Sequence, residues 1–142
     1  MRVTMLLADA AQEVGGKLYI LGGGWSVTGP NPTPQAVAVK VDVPWTEANL
    51  KHHFRLSLMS ADGAPVMMMN SPDGDEQPLR IEGDFETGRP AGLPAGTDLD
   101  FVFVVNLAPL PLTPGERFEW RLWIDDRTEE DWSRAFMTRA AT

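Results

Sequence analysis

Alternation of apolar and polar residues with a period of two runs through most of this chain and constrains its fold more than any other feature. In QAVAVKVDV, Val37, Val39, Val41 and Val43 fall on one side, with Ala36, Ala38, Lys40 and Asp42 on the other. HFRLSLMS sets Phe54, Leu56 and Leu58 against Arg55, Ser57 and Met59, and PLRIEGDFE sets Leu79, Ile81 and Phe85 against Arg80, Glu82, Asp84 and Glu86. RFEWRLWID sets Phe118, Trp120, Leu122 and Ile124 against Arg117, Glu119, Arg121, Trp123 and Asp125. Successive side chains of a β-strand point to opposite faces, so these segments are half-buried strands with the apolar face inward. LDFVFVVNL is apolar on both faces, which predicts a central, well-covered strand.

Turn signals punctuate these runs: Gly15-Gly16, TGPNPTP at 28–34, ADGA at 61–64, SPDGD at 71–75, GRPAGLPAG at 88–96 and TPGE at 113–116. Short strands with such spacing read as a sandwich or barrel. The expected strands are 2–8, 17–24, 36–43, 52–60, 65–69, 77–86, 99–107, 117–124 and 131–138, with helical turns only at 46–52 and 127–132. No repeat or long linker divides the chain. The expectation is an all-β fold over residues 1–142, a single antiparallel β-sandwich of about seven to nine strands, immunoglobulin-like or C2-like in general architecture. Gly22-Gly23-Gly24 does not read as a phosphate loop. Such a loop leads into a helix whose amides hold the anion, and here WSVTGPNPTPQ follows, with three prolines. The glycines instead mark a bulge or a close backbone approach at a strand end.

A formal charge of −8, from 20 acids against 12 bases, argues against nucleic acid and anionic membrane as partners. Cysteine is absent, which excludes disulfides, thiolate metal sites and a cysteine nucleophile, and fits a cytoplasmic protein. The apolar run at residues 3–8 stops at Asp9, too short for a signal peptide, and no later stretch approaches the length of a membrane span.

Two loops concentrate carboxylates: Asp73, Asp75 and Glu76 in one, Asp125, Asp126, Glu129, Glu130 and Asp131 in the other. Neither has the spacing of the twelve-residue calcium loop, and the alternation of strand direction places them at opposite ends, so only a local calcium site within one loop, at Asp73 and Asp75 or at Asp125 and Asp126, is left as an alternative to the expectation of no metal and no cofactor. His52 and His53 are adjacent and point to opposite strand faces, as surface residues at a strand entrance, and no Gly-x-Ser-x-Gly elbow occurs. Tryptophan is plentiful. Trp120 shares the inward face of its strand, whereas Trp123 lies outward beside Arg121, where a bare ring needs a cover from its own chain or a partner. PVMMMN is apolar on both faces, with Met67 and Met69 on one of them, and follows Pro65 as a possible edge strand.

Leu7, Asp9, Ala10, Gly16, Lys17, Leu18, Ile20 and Gly22 form the pattern Asp-Ala…Gly-Lys-Leu-x-Ile-x-Gly. With these residues the N-terminus resembles an uncharacterised family of small bacterial proteins, a domain of unknown function. SADGAPV and PGERFEWRLWID fit its later hairpins loosely, and Trp25 departs from its pattern. The resemblance implies a β-sandwich and assigns no activity or site residue. The expected function is therefore non-enzymatic: protein–protein contact, by self-association or as an accessory subunit of a larger complex, with Trp123, Arg121, Met67 and Met69 as interface residues. The alternative is a carbohydrate- or small-ligand-binding sandwich that stacks a sugar on an exposed Trp beside acidic acceptors, and an unrecognised hydrolase is a third.

Overall fold

A computed structural model describes residues 1–69 and 74–141 of the chain, Met69 by its backbone alone. The strands are β1 Arg2–Ala8, β2 Ala10–Val14, β3 Lys17–Leu21, β4 Val27–Thr28, β5 Gln35–Val43, β6 His52–Ser60, β7 Met67–Met69, β8 Glu76–Pro78, β9 Arg80–Phe85, β10 Leu99–Leu107, β11 Arg117–Ile124 and β12 Ser133–Thr138. No α-helix occurs among the described residues. The stretch 46–52 contributes only to a 3₁₀ turn at Trp45–Glu47, and 127–132 forms no helix.

Two sheets face each other, ordered β1-β5-β10 and β4-β12-β11-β6-β9, antiparallel throughout except where β4 joins β12. Their inner faces carry the residues that the alternation places inward. Met5 opposes Val39 and Leu7 opposes Val37 on one sheet; Trp120 opposes Leu58 and Leu122 opposes Leu56 on the other, all buried. Each fully buried aliphatic chain contributes about 1.5–3 kcal/mol. The Trp120 indole N–H donates across the sandwich to Gln35 Oε1, 3.4 Å away, so the one polar atom of that ring is met.

The two sides of the sandwich are closed differently. On the β1 side, Arg134 Nε donates to the Met5 carbonyl at 2.8 Å and the Gly24 amide to that of Leu7 at 2.7 Å, tying the sheets together. On the β9–β10 side the closure is aromatic: Phe85 stacks on Phe101 and Phe54 on Phe103, with ring centroids 4.2 and 4.3 Å apart.

Three expectations change. LDFVFVVNL is not a central strand but an edge, β10, and the central strand of its sheet is β5. β10 is apolar on both faces because a hairpin of β2 and β3 crosses its outer side, where Val104 packs among Ala8, Ala11, Ala36 and Ala38. The arm also covers Ala36 and Ala38, and Arg2 and Lys40 pair with Asp42, so β5 is buried on both faces rather than half-buried. The segment 77–86 is two strands, β8 in a hairpin with β7 and β9 on the large sheet, and β2 and β4 were not foreseen.

Candidate functional site

Within the β2–β3 hairpin, the arm, Gly15 and Gly16 both hold left-handed backbone, with φ of 60° and 76°. That is the two-residue turn whose twist matches paired strands, and glycine enters it without steric cost. Ala11, Leu18 and Ile20 share one face and turn toward the sandwich; Ala11, the most enclosed, packs with Leu18 on Ala8, Ala36 and Ala38, small side chains that allow close approach. The Asn106 amide fastens this contact. Its Nδ2 donates to the Ala11 carbonyl at 2.9 Å and its Oδ1 accepts from the Ala11 amide at 3.2 Å, so one side chain takes the place of a neighbouring strand.

Of the three glycines at the base of the arm, Gly22 and Gly23 lie at a close approach, whereas a Cβ at Gly24 would meet no atom and its backbone is left-handed, with φ of 92°. A side chain at Gly22 would run into the Asp9 carboxylate, and one at Gly23 into Ile20, so backbone passes where a Cβ has no room.

The opposite face of the arm is bare. On it Leu21 is 71% exposed, Val14 56% and Tyr19 55%; Ile20 on the inward face and Leu6 on β1 are exposed as well. These are half of the exposed large apolar side chains among the described residues, gathered on one arm and the strand beside it. These side chains are gathered in one place and not scattered singly over the surface. A cleft of about 540 Å³ opens between Ala10, Ala11, Gln12, Tyr19, Ile20 and Leu21 on the arm and Asn106 on β10.

The residues expected to form an interface lie elsewhere and apart. Trp123 is half-buried, and the Arg55 guanidinium of the neighbouring strand lies over its ring, 4.4 Å from the centroid. The cover comes from the same chain, and Arg55 was the residue that sequence reasoning missed, although it stands directly opposite Trp123 in register. Arg121 is occupied too, bonding Glu119 at 2.7 Å and, on the loop that follows, Thr128 Oγ1 and the Glu129 carbonyl. Met67 is exposed on the β7–β8 hairpin, beyond the far end of β6 from Trp123. The side chain of Met69 lies outside the described residues, as does Asp73.

His52 corrects the expectation of two surface histidines. His53 is exposed and meets Asp84, but His52 is 4% exposed and lies tilted against the Phe85 ring. Its Nδ1 lies 2.7 Å from Asp125 Oδ2 and its Nε2 3.0 Å from the Glu47 carbonyl. The carbonyl and the ionised carboxylate both accept, so it is the protonated ring, with both nitrogens donating, that this geometry favours. Burial works against that charge, but the bonds to Asp125 and Glu47 outweigh it and hold the His52 pKa above the ordinary value. Burial likewise opposes ionisation of Asp125, yet His52 and the His53 amide draw its pKa below the usual carboxylate value. With both ring nitrogens engaged, His52 has no lone pair for a substrate proton; the arrangement clamps three segments and does not poise a base. Among the described residues no group of three His, Asp or Glu side chains converges as metal ligands, and no helix is long and apolar enough to cross a membrane.

No curated protein and no solved structure matches the chain. A family model described as a family of unknown function (DUF6941) matches residues 3–133, and the chain belongs to that family.

Proposed function

We propose that this member of the DUF6941 family is a non-enzymatic binding protein whose β2–β3 arm is the surface that other protein chains contact. The single observation that carries this reading is the bare outer face of the arm, where Val14, Tyr19 and Leu21 stand in water although the same hairpin is anchored underneath. Large side chains of this kind act as anchors when a partner covers them. Leu21→Asp tests the reading. The variant should melt like the wild type, because its side chain is exposed, and should lose the partner chains that the wild type recovers from its native host. Equal recovery by both proteins overturns it.

The cleft beside the arm supports a second reading, capture of a small apolar ligand. Its volume of about 540 Å³ falls in the range of ligand pockets, and Gln12 and Asn106 supply polar groups at its wall. A sugar is less suited, since Arg55 already lies over the Trp123 ring. Titration with a small apolar fluorophore, competed by Ala10→Trp in the cleft wall, distinguishes this reading, and no saturable binding ends it. A cytoplasmic location is part of the proposal and rests on the absence of cysteine; recovery of the protein from any other cell fraction removes it.

A further inference from the structure

We infer that the free edge of β3 pairs with β3 of a second copy of this chain, with Tyr19 on the two-fold axis. This rests on the reading of the arm as a protein-contact surface. The backbone determines which groups are available. In a hairpin closed by a two-residue turn, the residues flanking the turn exchange both backbone bonds, so Val14 with Lys17, Gln12 with Tyr19 and Ala10 with Leu21 are the bonded pairs. Residues between them point their N–H and C=O outward. Ala11 does so on the β2 edge, where Asn106 meets it. On the β3 edge the outward residues are Leu18 and Ile20, and β3 has no strand beyond it among the described residues.

An antiparallel copy aligned so that Leu18 faces Ile20 of the other chain, and Ile20 faces its Leu18, makes four intermolecular backbone bonds. Tyr19 then opposes Tyr19 in the close, non-bonded position where side chains pack best. The aliphatic stem of Lys17 lies against Leu21 of the second copy. The register centred on Lys17 would bring two ammonium groups together and is disfavoured.

Charge selects the occupant. Residues 10–24 hold one acid, Glu13, and one base, Lys17, whereas the chain as a whole carries −8. A basic partner is drawn to the acidic surfaces elsewhere, while a neutral apolar strand suits a neutral apolar strand, which a second copy supplies. The β3 edge also lacks the charged or proline residues that blunt edges against pairing, apart from Lys17 at its start. Edge pairing buries the β3 backbone and the flanks of Lys17, Tyr19 and Leu21, while Val14 across the hairpin and Leu6 on β1 stay outside it, so the contact is small for a specific interface. A reversible dimer is the expected result.

Sedimentation of the full chain over a range of concentrations tests this, together with two variants. The wild type should convert from monomer to dimer as concentration rises, and Tyr19→Lys, which sets two cations on the axis, should stay monomeric with an unchanged melting temperature. Because the chain has no cysteine, Tyr19→Cys can cross-link only to another copy. It should oxidise to dimer at least about tenfold faster than Glu130→Cys on the exposed β11–β12 loop, since pairing raises the local thiol concentration. A wild type monomeric at all concentrations, a dimeric Tyr19→Lys, or equal cross-linking at the two positions overturns the pairing. If the chain is monomeric but Tyr19→Lys still loses host partners that the wild type retains, the self-pairing fails and the arm remains a contact surface; if no partner depends on the arm, both fail.

Discussion

Two hairpins of this protein turn on the same backbone geometry and end in opposite conditions. The arm turns at Gly15-Gly16, and the β11–β12 hairpin turns at Asp125-Asp126, where φ is 52° and 62°. Glycine brings no side chain, so nothing at the tip of the arm reaches another element. Among the described residues, its only polar anchor to the sandwich other than backbone is Asn106, behind the tip. Aspartate tolerates the left-handed turn less readily but brings a carboxylate. That of Asp125 accepts from the His52 ring and from the His53 amide, while Arg121 and Thr128 fasten the loop that follows. The same turn therefore makes a locked corner in one place and an uncommitted arm in the other, and the turn residue decides which.

Removing the lock should have the larger effect. Asp125→Gly keeps the left-handed turn and deletes only the carboxylate, leaving the buried His52 charge without its partner. Breaking a fully buried pair costs about 3–5 kcal/mol, and because water reaches the 44% exposed Asp125 side chain the expected loss is nearer 2 kcal/mol, read from denaturant melts. An unchanged midpoint would mean the clamp is ornamental.

The pH dependence sharpens the same contrast. The raised pKa of His52 makes its contribution complete below the ordinary value of 6.5, and it is lost as pH rises through the folded-state pKa. The lowered pKa of Asp125 makes its contribution complete above 3.8 and lost as pH falls through its own folded-state value. Stability should therefore hold between those limits as far as this pair is concerned and decline on the alkaline side. In Asp125→Gly the decline just above pH 6.5 should flatten; melting temperatures taken from pH 5 to 9 on both proteins show whether it does.

The smallest effect belongs to the arm. Leu21→Ser exposes no cavity and breaks no bond, so stability should stay within about 0.5 kcal/mol of the wild type. A loss several times larger would show that the outer face of the arm is covered within its own chain.

Much of the sandwich was legible from residue order. The inward sets Val37 to Val43, Phe54 to Leu58 and Phe118 to Ile124, taken at every second residue, are those found in the core, because the two-residue period is a property of the strand itself. The glycines at 22 and 23 were also legible as a close approach, since no helix can follow them. What period two does not encode is which object lies against each face. Val102 and Val104 on β10 read as interior, yet they belong to an edge strand roofed by the arm; Trp123 read as a ring needing cover from its own chain or a partner, and Arg55 of its own chain lies over it. The candidate site was less legible still. KLYIL read as one more strand, and nothing local says that its outer face stays in water.

The chain order by itself determined that the fold is built of short strands, which residues of β5, β6 and β11 face inward, that two glycines admit the Gly15-Gly16 turn, and that cysteine chemistry has no part, because each follows from residue types and neighbours within a few residues. The tertiary structure alone decided that β5 rather than β10 is central, that the arm folds back onto Asn106 some 95 residues away, and that His52 meets Asp125 across 73 residues. Those outcomes depend on which distant surfaces exclude water from one another, and that is a property of the packed whole.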